Sequence, residues 1–240
     1  MPVLVRNGYC SICQRDTRFE ASDEWLRDFY RCTRCGTIPR QRATVEVLNL
    51  VRPGWRGLTV HESSPSINFY AEQCAGYSRS FYFEGVPPGS RKDGELCENL
   101  ECLTFPDRTF DVFITQDVLE HVFNPDRVLT EIMRVLKPQG VHVFTTPKNK
   151  KLLQSTRRAR LREDGTVEHL LPADYHGNPI GDGRSLVTWD YGSDFDDLLM
   201  SWSGYVVSDY VLRDHARGIA GDYMDVFVMC KDERNRVGSP

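Results

Sequence analysis

The chain has 240 residues, a net charge of -4, 27% charged residues and 40% hydrophobic residues. This composition is typical of a globular protein of one or two domains, and it argues against a surface that coats nucleic acid broadly. No apolar run approaches the roughly 18 residues of a membrane helix, and the first ten residues lack the apolar segment of a secretory signal. We therefore expect a cytoplasmic protein without a membrane partner.

Two Cys-x-x-Cys pairs lie near the start of the chain. Cys10 and Cys13 form the first pair, and Cys32 and Cys35 form the second. Two such pairs at this spacing present four thiolates to one zinc ion, and four protein ligands leave no open position. The alternative of two disulfides fits poorly with a chain that lacks a secretion signal. The sequence therefore predicts structural zinc in a zinc ribbon over residues 1–38, with a β-hairpin over residues 19–30.

Alternating helix and strand patterns follow the ribbon. In chain order they are a helix over 40–51, a strand over 57–61, a helix over 66–75, and strands over 77–83, 112–115 and 141–146. Val128, Ile132, Val135 and Leu136 form a helical stripe before the last strand, and the helix ends at Lys137-Pro138-Gln139-Gly140. Such alternation predicts right-handed crossovers in a parallel sheet, whose ligands bind at the carboxyl ends of the strands.

The segment around Leu103 to Pro147 combines three motifs in order. They are an amide residue before a Pro-Asp-x-x-Phe-Asp-Val stretch (Asn99 to Val112), a Leu-Glu-His-Val element (Leu119 to Val122) and a Leu-Lys-Pro-x-Gly turn (Leu136 to Gly140). This combination resembles the type 11 branch of the class I S-adenosylmethionine-dependent methyltransferases. The alternative is a crossover of the same type without a cofactor.

The rest of the chain resembles a bacterial group of this branch that carries an N-terminal zinc ribbon. The matching pieces are Val60 to Pro65, Thr115 to Val122, Glu168 to Leu170 and Tyr175 to Pro179. The resemblance implies an α/β fold, namely a Rossmann-like, doubly wound, seven-stranded methyltransferase sheet with a small N-terminal zinc ribbon. It also implies S-adenosylmethionine as cofactor. The methyltransferase domain would span residues 39–235, with 148–235 as the substrate side and 236–240 as a tail.

The turn after the first strand is expected to hold the methionine part of the cofactor. Most class I methyltransferases have glycines in this turn, whereas the segment from His61 to Ser66 has none. Ser63 and Ser64 offer hydroxyl groups, and Glu62 offers a carboxylate for the ammonium group. The alternative is that these serines only begin the next helix.

The resemblance assigns the other cofactor contacts to the ends of later strands. Glu84 corresponds to the acidic residue that binds the ribose hydroxyls. Asn99 would exchange hydrogen bonds with adenine, and Leu100 would cover one face of its ring. Gln116 and Asp117 follow the third strand and should lie near the ligand.

Two histidines are candidate catalytic residues. Methyl transfer mainly requires alignment of the nucleophile, and a histidine can act as general base when the acceptor is a hydroxyl. His176 lies in a loop rich in turn residues, and His121 follows Glu120 in the Leu-Glu-His-Val element. Either histidine could instead have a purely structural role. The basic segment with Arg157, Arg158, Arg160 and Arg162 is expected to be a solvated helix face rather than a phosphate site.

Three functions remain open from the sequence. The first is methyl transfer to an oxygen or nitrogen nucleophile of a small molecule, such as a sugar, nucleoside or natural product. The second is methylation of RNA or protein with the zinc ribbon as docking module, which Arg31, Arg34, Arg40 and Arg42 favour weakly. The third is a non-catalytic scaffold, favoured by the glycine-free turn and Asn99. The oligomeric state stays open.

Overall fold

The first three strands form an antiparallel sheet of their own. The computed structural model describes residues 1–67, 69–177 and 183–238. β1 (Leu4–Cys10) pairs with β2 (Arg15–Ala21), and β2 pairs with β3 (Tyr30–Cys32). The antiparallel pairing of β2 with β3 agrees with the hairpin predicted over 19–30, but the strands meet only at its two ends and a short helix α1 (Leu26–Phe29) lies in the connection. Asp23 accepts a hydrogen bond from the backbone N–H of Trp25 at 2.7 Å and turns the chain into this helix.

The following helices and strands come in the predicted order, except that the strand expected over 77–83 ends at Ser80 and two short strands that were not predicted follow it. The helices and strands are α2 (Pro39–Val51), β4 (Thr59–Ser63), α3 (Phe69–Gln73), β5 (Gly76–Ser80), β6 (Arg91–Lys92), β7 (Glu95–Leu96), β8 (Phe110–Gln116), α4 (Pro125–Val135) and β9 (Leu136–Thr145). The apolar stripe of α4 is buried at Val128, Ile132 and Val135. Leu136, which continues the stripe, is the first residue of β9.

Short two-stranded sheets precede the return of the chain to the central sheet. The elements are β10 (Thr156–Arg157), β11 (Ala159–Leu161), β12 (Val167–His169), β13 (Tyr175–Gly177), β14 (Arg184–Leu186), β15 (Trp189–Asp190), α5 (Phe195–Ser203), β16 (Val207–Val211) and β17 (Asp225–Cys230). The helix expected for the arginine-rich segment is wrong. Arg157 ends β10 and Arg160 lies in β11, whereas Arg158 and Arg162 lie outside both strands. Arg160 pairs with Glu168 across the β11–β12 hairpin at 2.6 Å.

The central sheet has the strand order β16-β17-β9-β8-β4-β5. β5, β4, β8 and β9 are parallel, whereas β17 runs antiparallel to β9 and to β16. This mixed sheet confirms the predicted Rossmann-like α/β architecture. The prediction of seven strands is not confirmed, since the described residues contribute six strands to this sheet. Beyond β5, a single parallel bridge joins Phe81 and Cys97.

The sheet separates two apolar clusters. Residues of α2 and α3 pack with Val112 and Ile114 on one face, and residues of α4 and α5 pack with Phe113 and Phe144 on the other. Successive strand residues point to opposite faces, so a strand covered on both sides is apolar at nearly every position. The sheet is therefore doubly wound as predicted, and the carboxyl ends of its parallel strands remain open.

Candidate cofactor and acceptor site

A cleft of about 1580 Å³ lies at the carboxyl ends of the parallel strands. It brings together nine of the ten residues that the sequence predicts for cofactor binding and catalysis. They are Ser63, Ser64, Glu84, Asn99, Leu100, Gln116, Asp117, His121 and His176. The tenth, Glu62, is fully buried behind the wall of the cleft. The residues that the sequence and the resemblance predict for the site therefore lie around one cleft, with Glu62 as the exception.

The glycine-free turn after β4 adopts a backbone conformation that favours glycine. Ser64 has a φ of 53°, in the left-handed region. This conformation costs an L-residue about 1–2 kcal/mol. The backbone N–H of Ser64 donates to the carbonyl of Ser80 at the end of β5, at 2.8 Å, which holds the turn in place. Ser64 therefore adopts the left-handed conformation that glycine takes more easily, and both Ser63 and Ser64 line the cleft.

Glu62 does not reach the cleft. Its two carboxylate oxygens accept hydrogen bonds from the hydroxyl of Tyr77, at 2.9 Å, and from Nε2 of Gln116, at 3.0 Å. Burial raises the pKa of this carboxyl to about 8. Glu62 is thus placed to orient Gln116 rather than to touch an ammonium group directly.

Gln116 presents an unused acceptor. Its Oε1 atom is buried and has no hydrogen-bond partner within the described residues, while the side chain lines the cleft. A buried amide oxygen of this kind favours a ligand N–H that completes its hydrogen bonding. The residues present therefore fit a cofactor with an amino group at this end of the cleft.

Asp117 is occupied by an ion-pair network. Its Oδ2 atom accepts from Arg27 at 2.6 Å and lies 3.1 Å from Nε of Arg40, and its Oδ1 atom accepts from Thr145 at 2.8 Å. The two guanidinium groups hold the pKa of this carboxyl well below its usual range. Asp117 therefore fastens α1 and α2 to the end of β8. The sequence did not identify Arg27, because nothing local to it indicates a partner 90 residues away.

The adenine and ribose candidates lie on the wall of the cleft. Asn99 is half-buried, and its Oδ1 atom accepts from the backbone N–H of Glu101 at 2.9 Å. Its amide nitrogen and the second lone pair of Oδ1 remain for a ligand. Leu100 is buried beside it, and Glu84 is exposed at the rim.

Glu120, His121 and His176 form a cluster in the same cleft. Oε1 of Glu120 lies 3.8 Å from Nε2 of His121 and 3.9 Å from Nδ1 of His176. The two imidazole rings meet edge to face, with centroids 5.2 Å apart. The position of Glu120 and His121 after the strand predicted that both face the site, but the sequence assigned Glu120 no catalytic or binding role and proposed the two histidines separately. His176 was expected in a loop, but it lies in the short strand β13. Asn178 and Pro179, which end the matching piece Tyr175 to Pro179, lie outside the described residues.

The four cysteines of the two N-terminal pairs converge. Their Sγ atoms all lie within 4.8 Å of one another, with Cys10 and Cys35 at 3.7 Å and Cys13 and Cys32 at 3.9 Å. In a tetrahedron with Zn–S bonds of 2.3 Å, sulfur atoms are about 3.8 Å apart. The cluster therefore fits one zinc ion with no further ligand.

Comparison with known proteins finds similarity between part of this chain and methyltransferases. Residues 84–144 match the family model described as methyltransferase domain. The ubiquinone/menaquinone biosynthesis C-methyltransferase UbiE of Ruegeria sp. is 33% identical over 102 residues, which cover 37% of this chain and 41% of that protein. The glycine/sarcosine/dimethylglycine N-methyltransferase of Actinopolyspora halophila is 35% identical over 81 residues, covering 34% of this chain and 13% of that protein. The chain thus spans less than half the length of these curated relatives.

Solved structures of methyltransferases are also similar. CalS10, an amino pentose methyltransferase of Micromonospora echinaspora, is 12% identical with a TM-score of 0.49, and the match covers 82% of this chain and 92% of CalS10. The 1,6-didemethyltoxoflavin-N1-methyltransferase of Burkholderia thailandensis is 14% identical with a TM-score of 0.47, covering 81% and 79%. The family match, together with the strand order, supports a class I S-adenosylmethionine-dependent methyltransferase. These relatives differ in their acceptors, so they specify none for this chain.

Among the described residues, no helix is long and apolar enough to cross a membrane.

Proposed function

We propose that the protein is an S-adenosylmethionine-dependent methyltransferase that acts on an oxygen or nitrogen nucleophile of a small molecule. One observation carries this proposal: a single cleft joins the cofactor candidates at the strand ends to the Glu120, His121 and His176 cluster. Single-ligand pockets measure roughly 300–1,000 Å³, whereas this cleft measures about 1580 Å³. The cofactor and an acceptor can therefore occupy it side by side.

The cofactor would bind along the strand ends. Ser63, Ser64 and the Oε1 atom of Gln116 would hold the methionine part, Glu84 the ribose, and Asn99 with Leu100 the adenine. When bound, S-adenosylmethionine supplies a methyl group on a positively charged sulfur. The protein then has to bind the acceptor, orient its nucleophile and exclude water. Glu62 contributes through Gln116, which it holds by a hydrogen bond of 3.0 Å.

The acceptor would bind at the histidine end of the cleft. His176 has a side chain that is 44% exposed, so it can meet a ligand that enters from solvent. A neutral imidazole can take a proton from a hydroxyl or amine acceptor near neutral pH. Trp189 and Tyr191 stack in parallel, with ring centroids 6.1 Å apart, and both line the cleft. Aromatic walls of this kind favour a small cyclic acceptor.

The arginines do not favour macromolecular docking. Arg42 is fully buried and donates to the carbonyls of Tyr30 and Gly218 at 2.7 and 2.6 Å, and Arg40 pairs with Asp117 and Asp28. Arg31 and Arg34 are the two exposed members of the four arginines near the second cysteine pair. Two exposed positive charges attract the phosphates of RNA only weakly, so the small-molecule function is the better supported one.

The N-terminal part has a structural role in this proposal. Zinc bound by Cys10, Cys13, Cys32 and Cys35 would hold a ribbon over residues 1–38, and residues 39–235 would form the methyltransferase domain. The ribbon segment contributes Trp25, Arg27 and Asp28 to the wall of the cleft. Zinc would therefore act on the cofactor site only through the ribbon that it stabilises.

The test is the formation of S-adenosylhomocysteine by the zinc-loaded full chain. Panels of phenols, sugars, nucleosides and amines are compared with total RNA and total protein as acceptors. The proposal predicts turnover with one chemical class of small acceptor. Turnover confined to RNA or protein would replace it by the docking alternative. Cofactor binding without turnover on any acceptor would favour the scaffold alternative.

A further inference from the structure

Three side chains at the acceptor end of the cleft carry the donor set of a metal site. We propose that Glu120, His121 and His176 bind one divalent transition-metal ion, distinct from zinc in the cysteine cluster, and that this ion binds the acceptor oxygen. The inference rests on the proposed function for the identity of the ligand that completes the site. The site itself stands on the geometry of the three side chains.

The three donor atoms are close enough for one ion. Each of the three side chains has one ligand atom within 4.8 Å of a ligand atom of the other two. Oε1 of Glu120 lies 3.8 Å from Nε2 of His121 and 3.9 Å from Nδ1 of His176. For an ion bound by these atoms, two sides of 3.8 and 3.9 Å and a third of at most 4.8 Å give an equidistant position at most about 2.5 Å from each, compared with 2.0–2.2 Å for zinc bonds to nitrogen and oxygen. A small rotation of the exposed His176 ring closes this difference of a few tenths of an ångström.

Glu120 has an unsatisfied oxygen that points into the cluster. Its side chain is 2% exposed, and its Oε2 atom accepts a hydrogen bond from the Thr146 hydroxyl at 2.9 Å. Its Oε1 atom is buried and has no hydrogen-bond partner in the part of the chain that the structure describes. A buried, unpaired carboxylate oxygen is strongly unfavourable unless a cation or a hydrogen-bond donor completes it.

His121 cannot donate a hydrogen bond to the Oε1 atom of Glu120. Its Nδ1 atom lies 2.8 Å from the carbonyl oxygen of Leu186, and a carbonyl only accepts, so Nδ1 carries the proton. In the neutral ring, Nε2 then has a lone pair that faces Oε1 of Glu120 at 3.8 Å. Two lone-pair atoms face each other at a distance too long for a direct hydrogen bond. Metal-binding histidines are typically fixed in this way, with the far nitrogen donating to a backbone carbonyl.

Two imidazoles and one carboxylate favour a particular class of ion. This donor set suits zinc, iron and related first-row divalent ions better than magnesium or calcium, which prefer all-oxygen sites. Three protein ligands leave coordination positions open to the cleft. A hydroxyl that occupies one of them loses its proton to solvent more readily, because the ion lowers its pKa. The ion would thus supply the activation otherwise assigned to His176 as a general base.

Cobalt(II) is the probe of choice for the second site. The zinc-loaded full chain is equilibrated with Co²⁺, and bound metals are counted by mass spectrometry alongside the visible spectrum. We expect one zinc and one further Co²⁺ per chain, without the strong charge-transfer absorption that thiolate ligands give. Glu120→Gln and His176→Ala should each weaken Co²⁺ binding at least roughly a hundredfold, above the 10- to 100-fold typical of changes around the ligands. His169→Ala, at another exposed histidine on a hairpin strand, should bind Co²⁺ as the wild type does.

The controls separate this inference from the proposed function. His176 is exposed, so His176→Ala tests the site even if Glu120→Gln does not fold. Titration of the same samples with S-adenosylhomocysteine reports the cofactor site independently. No further Co²⁺ in the wild type, or equal binding by the wild type and His176→Ala, would overturn the metal site while leaving the methyltransferase proposal in place. Co²⁺ binding without S-adenosylhomocysteine binding would support the metal site and overturn the methyltransferase proposal.

Discussion

Replacing Asp117 with asparagine tests how the N-terminal segment is held on the cofactor cleft. The carboxylate lies 2.6 Å from Arg27, whose side chain is 7% exposed, and 3.1 Å from Arg40. Asparagine keeps the acceptor for the Thr145 hydroxyl but removes the charge. Breaking a buried ion pair from one side costs about 3–5 kcal/mol. We expect a value near the lower limit, because Asp28 still lies 3.7 Å from Arg27.

Thermal unfolding at pH 7.5 measures this effect. In a chain of this size, 1 kcal/mol shifts Tm by about 2–4 °C, so Asp117→Asn should lower Tm by roughly 6–12 °C. The pKa of Asp117 is held well below its usual range, so this contribution is present above the carboxyl's unfolded pKa near 4 and is lost as pH falls below that value. The matched control is Asp107→Asn, because Asp107 is 70% exposed and a solvent-exposed ion pair such as the one it forms with Arg134 contributes little to stability.

A double-mutant cycle identifies which interaction accounts for the lost stability of Asp117→Asn. In an Arg27→Met background, Asp117→Asn should destabilise the protein much less than in the wild type, because the charge that it leaves unpaired is already gone. Equal losses in both backgrounds would refute the ion-pair explanation. So would a Tm shift for Asp117→Asn no larger than that of Asp107→Asn.

Three further predictions concern the cysteine cluster, the buried carboxyl and the cleft. Cys32→Ser should remove about one zinc per chain and lower Tm. The control Cys102→Ser, at an exposed cysteine outside the cluster, should change neither the zinc content nor Tm. Full zinc content and an unchanged Tm in Cys32→Ser would reject the zinc site. Burial raises the pKa of Glu62 to about 8, so its neutral form favours folding at low pH and this advantage is lost as pH rises from about 4.5 to 8. Glu62→Gln should therefore gain Tm relative to the wild type across that range, and a constant difference would contradict the raised pKa. His176→Ala should lower turnover about a hundredfold and leave the Kd of S-adenosylhomocysteine nearly unchanged; a loss of affinity with normal turnover would exclude a role at the acceptor.

The sequence predicts those parts of the fold whose signals are local. The strand β8, the helix α4 and the strand β9 follow from apolar runs and a helical stripe within one continuous segment, and the structure has all three. Gln116 follows β8 and lines the cleft, as expected for a residue at the carboxyl end of a parallel strand, and Asn99 and His176, predicted on other grounds, line the same cleft. The cysteine spacing likewise predicts a convergence of four sulfurs that the structure contains.

The functions of individual polar side chains depend on residues far along the chain. Glu62 is at the predicted strand end, but its oxygens face Tyr77 on the neighbouring strand β5 instead of the cleft. Asp117 faces the cleft, but Arg27 occupies its carboxylate from a position 90 residues earlier. A charged residue type does not specify its partner, so these contacts required the three-dimensional structure.

Calorimetric titration of the zinc-loaded protein with S-adenosylmethionine and S-adenosylhomocysteine tests the central claim most directly. We expect both ligands to bind with micromolar Kd, about -8 kcal/mol, and to bind more weakly when Leu100, buried in the cleft wall, is replaced by aspartate. No heat with either ligand, together with no thermal shift, would contradict it. The cleft would then belong to a scaffold that keeps the fold without the cofactor.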